Sequence, residues 1–165
     1  MKRFIPLTAS LFLFAETLLA ADPILASTVK WSGHFGASQT QPKAVLCLMA
    51  RGFFRSPTSG DAAAFIEKWM REHPKAIVMP VASFGPVAVK DPDSKMLYVW
   101  IVDGDQSLNL ELVRHGHVFP GTQGVPKDQK LEIPQAEYDA FVKKATEAGK
   151  DAEDKKLGVW KTKEE

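Results

Sequence analysis

The chain has 165 residues, 21 Lys and Arg against 20 Asp and Glu, and a single cysteine. That length supports one domain with one hydrophobic core, and one cysteine excludes an intramolecular disulfide framework. The near-neutral charge gives no support to a strongly basic nucleic-acid-binding surface.

Lys2 and Arg3 precede an apolar run from Phe4 to Ala20, and small residues follow at Ala20-Ala21. This is the pattern of an export signal. It predicts cleavage near Ala21 or Asp22 and a mature single domain of residues 22–165 in the periplasm or outside the cell. Glu16 interrupts the run, whose length is close to the lower limit for a membrane span, so an uncleaved anchor is the alternative. The mature chain has no stable membrane span. Without residues 1–21 the acidic and basic residues balance.

Residues 22–43 carry weak signals: Val29-Lys30-Trp31 is a short strand candidate, and Gly33, Gly36 and Ser38–Pro42 suggest turn and loop. The apolar run 44–49 is a strand buried on both faces, with Cys47 as an inert interior thiol. Residues 52–60 form a loop. A helix follows over 61–72, with Ala62, Phe65, Ile66, Trp69 and Met70 on one stripe, Ser59 as its cap and Pro74 as its stop.

Residues 76–82 form a strand in which Pro80 marks an edge or a bulge. Segments 86–90 and 96–102 are expected to pair as a hairpin around Asp91-Pro92-Asp93-Ser94, with 96–102 central in the sheet. Asp103-Gly104 turns the chain. Ser107 or Asn109 then opens a short helix that runs to His115, buries Leu108, Leu112 and Val113, and ends at a left-handed Gly116. After a long loop, a last helix over 134–155 turns Tyr138, Phe141, Val142, Ala145 and Ala152 inward and its lysines to water.

Three segments carry a resemblance. Gly60-Asp61-Ala62-Ala63-Ala64-Phe65, Leu112-Val113-Arg114-His115-Gly116 and Lys156-Leu157-Gly158-Val159-Trp160 resemble the staphylococcal-nuclease (thermonuclease-like) family, firmly over 60–160 and faintly before. The resemblance implies an α+β fold, a five-stranded OB-type barrel with three helices, which binds ligands across one face. In the family these three segments pack helices on the barrel and are not catalytic. Arg114 is accordingly expected to serve the helix dipole and a salt bridge.

Chemistry in that family is Ca²⁺-assisted phosphodiester hydrolysis, with carboxylates on the cation, a glutamate on the attacking water and two arginines on the phosphate. This sequence departs at each motif. No Asp-Gly-Asp-Thr occurs early, and residues 23–60 contain no Asp or Glu. Val45, Ala50 and Phe53 stand where the second motif has Arg, Asp and Glu. Lys95 replaces the arginine of the third, keeping charge but losing the bidentate fork. Asp103-Gly104-Asp105 mimics the lost motif at a position where the family has an ordinary turn.

These departures imply no catalytic and no metal-binding residues. Arg51, Arg55 and Lys95 remain as candidate phosphate or ligand contacts. His115-x-His117 is at most half of a metal site, and Phe53, Phe54, Trp31 and Phe84 are either stacking aromatics or core and loop anchors. The expectation is an exported binding or interaction module that has lost hydrolysis, needs no cofactor and has nucleic acid or an envelope protein as candidate partner. The alternative is a divalent-metal-dependent nuclease with a rearranged site, using Ca²⁺ and Asp91 and Asp93 in a makeshift set. A purely structural envelope domain is a third class.

Overall fold

A computed structural model describes residues 23–48, 59–121 and 130–161. The expected signal segment, Arg51, Arg55, Phe53 and Phe54 lie outside the described residues. The strands are β1 (Ile24–Leu25), β2 (Lys30–Ser32), β3 (Phe35–Ala37), β4 (Ala44–Leu48), β5 (Ile77–Phe84), β6 (Lys95–Asp103), β7 (Gln106–Ser107) and β8 (Lys130–Leu131). The helices are α1 (Ala62–Glu72), α2 (Leu108–Arg114) and α3 (Gln135–Asp154). Among the described residues no helix is long and apolar enough to cross a membrane.

The sheet runs in the order β1-β5-β6-β4-β3-β2. Its two ends, β1 and β2, are neighbours in the chain, joined through a single 3₁₀ turn at Ala26–Thr28. Joining the two edges over so short a link requires the sheet to curl. The result is a mixed α+β fold, a curled half-barrel sheet with three helices, compatible with an OB-like barrel.

β6 is the central strand, as its unbroken apolar run predicts. It pairs antiparallel with β5 and parallel with β4, from Ala44 opposite Lys95 to Leu48 opposite Val99. Val102 pairs with both Ile77 and Ser107, so β7 continues the edge that β4 leaves. Between them Asn109, fully buried, bridges the gap: Ile101 N–H donates to its Oδ1 at 2.9 Å and its Nδ2 donates to the Val99 carbonyl at 3.1 Å. A side chain thus supplies two bonds that a strand would otherwise make.

Several strand expectations need correction. Segment 86–90 is not the partner of β6. β5 extends to Phe84 and takes that role, with a register shift between Pro80 and Ala82 where the proline interrupts donation. The Ser94 hydroxyl accepts from Val87 N–H at 3.1 Å and Ala88 N–H at 2.7 Å, folding the segment into a turn instead. Gly36 is not in a turn but in β3. A Cβ there would lie 2.7 Å from Val29 Cγ1 and 2.8 Å from the Trp31 ring, so glycine lets Trp31 lie flat across the strand. Within the long loop, β8 adds to the edge of β5.

The helices follow the expected stripes. α1 buries Ala62, Ile66 and Trp69, α2 buries Leu108, Leu112 and Val113, and α3 buries Tyr138, Phe141, Ala145 and Ala152. Ser59 does not cap α1 through its side chain; its carbonyl accepts from Ala62 N–H at 3.1 Å and its hydroxyl turns to His117. Arg114 pairs with Glu111 as expected. Phe141 stacks on Trp100, ring centroids 3.8 Å apart, which docks α3 on the outer side of β6.

Two of the motif segments meet. Val159 N–H donates to the Gly116 carbonyl at 2.8 Å. A Cβ on Gly158 would sit 2.0 Å from Gly116 O, and one on Gly116 would sit 2.4 Å from Leu157 O. Both glycines have positive φ, so neither the conformation nor the space admits a side chain. Trp160, expected in the core, is half-buried and meets Phe119 edge-on at 4.6 Å.

Candidate functional site

Strand register defines one outward face of the sheet. Directly opposed residues share a face of the sheet. Lys30, Ala37, Val45, Met96 and Phe84 are opposed in sequence across β2, β3, β4, β6 and β5. They form one outward row, with Val45 and Phe84 each 41% exposed. The next row on the same face, Phe35, Cys47, Tyr98 and Ala82, is buried except for Phe35. α3 covers the far end of this face at Trp100 and leaves the Phe84–Val45 end exposed.

Lys95 stands at the first position of β6, opposite Ala44. Its neighbour Met96 shares the face of Val45, so Lys95 and Val45 project to opposite sides of the sheet. Moving the comparison by one residue pairs Lys95 with Ala44, which is equally apolar. Two cationic groups converging on one phosphate are therefore absent from β4 and β6 in either register. Lys95 has no ion-pair partner among the described residues.

Asp91 and Asp93 lie in the turn that leads into β6. Both are engaged by Lys43, whose Nζ lies 2.7 Å from Asp93 and 3.3 Å from Asp91. The bond to Asp93, then that to Asp91, holds the Lys43 ammonium above its ordinary range, and Lys43 holds the Asp93 carboxyl below its own. Asp91 Oδ1 also accepts from Asp93 N–H at 3.0 Å, which closes the turn. Asp103, the last residue of β6, accepts from or pairs with His73 Nδ1 at 3.0 Å, fastening the end of α1 to the sheet.

Calcium takes six to eight oxygen ligands with several carboxylates among them. The exposed row offers lysine, alanine, valine, methionine and phenylalanine, none of them an oxygen ligand, and no group of three or more His, Cys, Asp or Glu side chains converges among the described residues. The donor set does not fit that cation. Cys47 is fully buried and burial pushes its thiol up to about 12, which removes it as a nucleophile.

The remaining candidates separate. His115 and His117 have ring centroids 6.2 Å apart, with Phe65 against both. Trp31 donates Nε1–H to the Ala26 carbonyl at 3.1 Å, an anchor for the turn between β1 and β2, while Phe84 stays in the exposed row. Sequence reasoning offers Asn109 only as a possible start of α2, a place that Ser107 takes, and misses its bridging role, for which a polar side chain between Leu108 and Leu110 was the available signal. It also missed the tie of Ser59 to His117, which no local pattern announces. No protein-family model matches the chain, and no curated protein matches it.

Proposed function

We propose that the chain is an exported, thermonuclease-like five-stranded OB barrel that has lost metal-dependent phosphodiester hydrolysis and serves as a binding or interaction module. The observation that carries this reading is the chemistry of the sheet face. Residues 23–60 hold no carboxylate, the exposed row of β3, β4, β6 and β5 is apolar, and Asp91 and Asp93 are both engaged by Lys43. Water activation needs a base and a cation positioned together, and this face offers neither.

The fold half of the proposal draws support from connectivity. Taking Ile24–Ser32 as one strand broken by a 3₁₀ turn gives a closed five-strand circuit, with β4 and β6 parallel and α1 between β4 and β5. The segments resembling the family's helix-packing motifs sit in helix junctions. Export rests on the pattern of residues 1–21.

The test is direct. The purified protein is incubated with single-stranded DNA and RNA, with Ca²⁺ or EDTA, and binding is followed by fluorescence anisotropy of labelled oligonucleotides. No Ca²⁺-stimulated cleavage is expected, and Lys95→Ala leaves any trace activity unchanged. Cleavage abolished by EDTA and by substitution of Lys95, Asp91 or Asp93 would overturn the reading in favour of a rearranged nuclease. For export, N-terminal sequencing of the protein from its native cell is expected to start near Ala21 or Asp22.

A further inference from the structure

A second concave region lies away from the sheet face, between the first turn of α1 and the segment after α2. It encloses about 830 Å³, within the size range of small-molecule sites. Four of its lining side chains are basic or imidazole groups, Lys68, Lys161, His115 and His117, and one is a carboxylate, Asp61. Phe65 packs on both imidazoles, 4.4 Å from His117 and 5.2 Å from His115 between ring centroids, and so fixes their spacing.

His117 is the organising group. It is 7% exposed, with Nδ1 2.7 Å from Ser59 Oγ and 3.2 Å from Asp61 Oδ1. Both contacts fall on one ring nitrogen. A hydrolase relay bridges carboxylate and hydroxyl through opposite nitrogens, so this is not one. Nδ1 is saturated, and Nε2 has no protein partner among the described residues. A nearly buried imidazole tethered on one nitrogen and open on the other is oriented for a ligand.

We propose that this cleft binds a phosphate-type anion, inorganic phosphate or a phosphomonoester, through His117 Nε2, His115, Lys68 and Lys161, and that His117 takes up a proton when the anion enters. The Asp61 carboxylate beside Nδ1 holds a proton there, so neutral His117 presents a lone pair at Nε2. An anion requires an N–H at that position, and with Nδ1 protonated toward Asp61 it is the imidazolium that supplies it. Burial and then neighbouring His115 disfavour that cation in the free protein, while Asp61 favours it. Asp61 is itself held below its ordinary range, first by the Ser59 hydroxyl. Lys68, which also reaches Glu72 at 3.8 Å, and Lys161 are the other charged groups on the cleft walls and favour an anion, while Glu111, 3.4 Å from His115 Nε2, is the acid that competes for His115.

Calorimetric titration of the full chain with sulfate, phosphate and a nucleoside monophosphate tests this. Sulfate keeps its charge across the range, so its pH response reports the protein. Sulfate affinity is expected to rise roughly tenfold from about pH 8 to about pH 6, with proton uptake measurable in buffers of different ionisation enthalpy. The exposed changes Lys68→Ala and Lys161→Ala are expected to weaken it about fivefold each with melting unchanged. His117→Asn is expected to remove the pH response, and Lys95→Ala to leave binding unaltered. Tighter binding of the nucleoside monophosphate than of phosphate assigns a phosphomonoester, and the reverse assigns the free ion. Absence of saturable binding of all three anions, a flat pH profile, or loss of binding in Lys95→Ala alone overturns the proposal. None of these outcomes bears on whether the sheet face hydrolyses nucleic acid.

Discussion

The junction between α2 and the C-terminal turn and the exposed row across β3, β4, β6 and β5 are built on opposite terms. At the junction two backbones touch, with Gly116 and Gly158 leaving no room even for a methyl group. In the exposed row, Val45 and Phe84 face water and nothing among the described residues covers them. The wording that makes the chain resemble a nuclease is concentrated in the first region, where it is packing. The second region is the face on which the proposed function turns, and there the side chains are free of packing. Gly158→Ala is the largest expected effect that tests this contrast. It places a Cβ 2.0 Å from Gly116 O at a positive φ, and the backbone has to separate. A loss of about 3 kcal/mol or more in chemical denaturation is expected, against less than about 0.5 kcal/mol for Val45→Ser. Equal effects would erase the distinction.

Asn109 sharpens the contrast within α2. Asn109→Ala leaves the Ile101 N–H and the Val99 carbonyl without these partners in a buried strand edge. The expected loss is about 2–4 kcal/mol. Asn109→Asp, which retains an acceptor for Ile101 but not the donor to Val99, is expected to recover only part of it. A loss below about 1 kcal/mol would mean that water replaces the side chain, and that the gap between β4 and β7 is wetter than its burial indicates.

Much of this architecture was legible in the sequence, and the parts that were not share a cause. α1, α2 and α3 follow from apolar stripes bounded by Pro74, Gly116 and Pro134, because helix signals are local. The central place of β6 and the burial of Cys47 follow from unbroken apolar runs. Strand pairing is not local. Residues 86–90 alternate like a strand, but the Ser94 hydroxyl captures their amides while β5 runs on to Phe84. The first strand is half legible: Val29-Lys30-Trp31 signals β2, but β1 leaves no pattern because the strand is split, one half serving β5 and the other β3. Of the candidate contacts, Arg51 and Arg55 lie outside the described residues, and Lys95 projects to the side of the sheet opposite Val45. The tie of Ser59 to His117 joins residues 58 apart and leaves no trace in spacing.

Proton linkage gives a smaller effect that separates the cleft from the sheet face. Burial lowers the pKa of His117 and of His34 below the ordinary 6.5. The unfolded chain therefore binds more protons than the native one in that range. Stability is fully present above the unfolded value and falls as pH drops through it toward the lowered native values. Thermal midpoints measured between about pH 7.5 and about pH 5.5 are expected to decline, with a shallower slope in His117→Gln. A rising profile would mean that Asp61 outweighs burial at His117.

The smallest expected effect concerns Lys43, and it bears on whether the open face could ever hold a metal. Lys43, Asp91 and Asp93 are all exposed at the side chain, and such pairs gain little because water and salt screen them. Lys43→Ala is therefore expected to leave the melting midpoint unchanged, the turn still being closed by the Asp93 N–H bond to Asp91 and by the Ser94 hydroxyl. The change does release two carboxylates side by side. If they formed a latent cation site masked by the ammonium, Ca²⁺ would raise the midpoint of the variant but not of the parent. No such shift is expected. Two carboxylates on an exposed turn supply too few of the oxygens calcium requires, and the neighbouring row of Val45, Met96 and Phe84 supplies none. A Ca²⁺-dependent rise confined to Lys43→Ala would show that one lysine, rather than the makeup of the whole face, stands between this chain and a metal site.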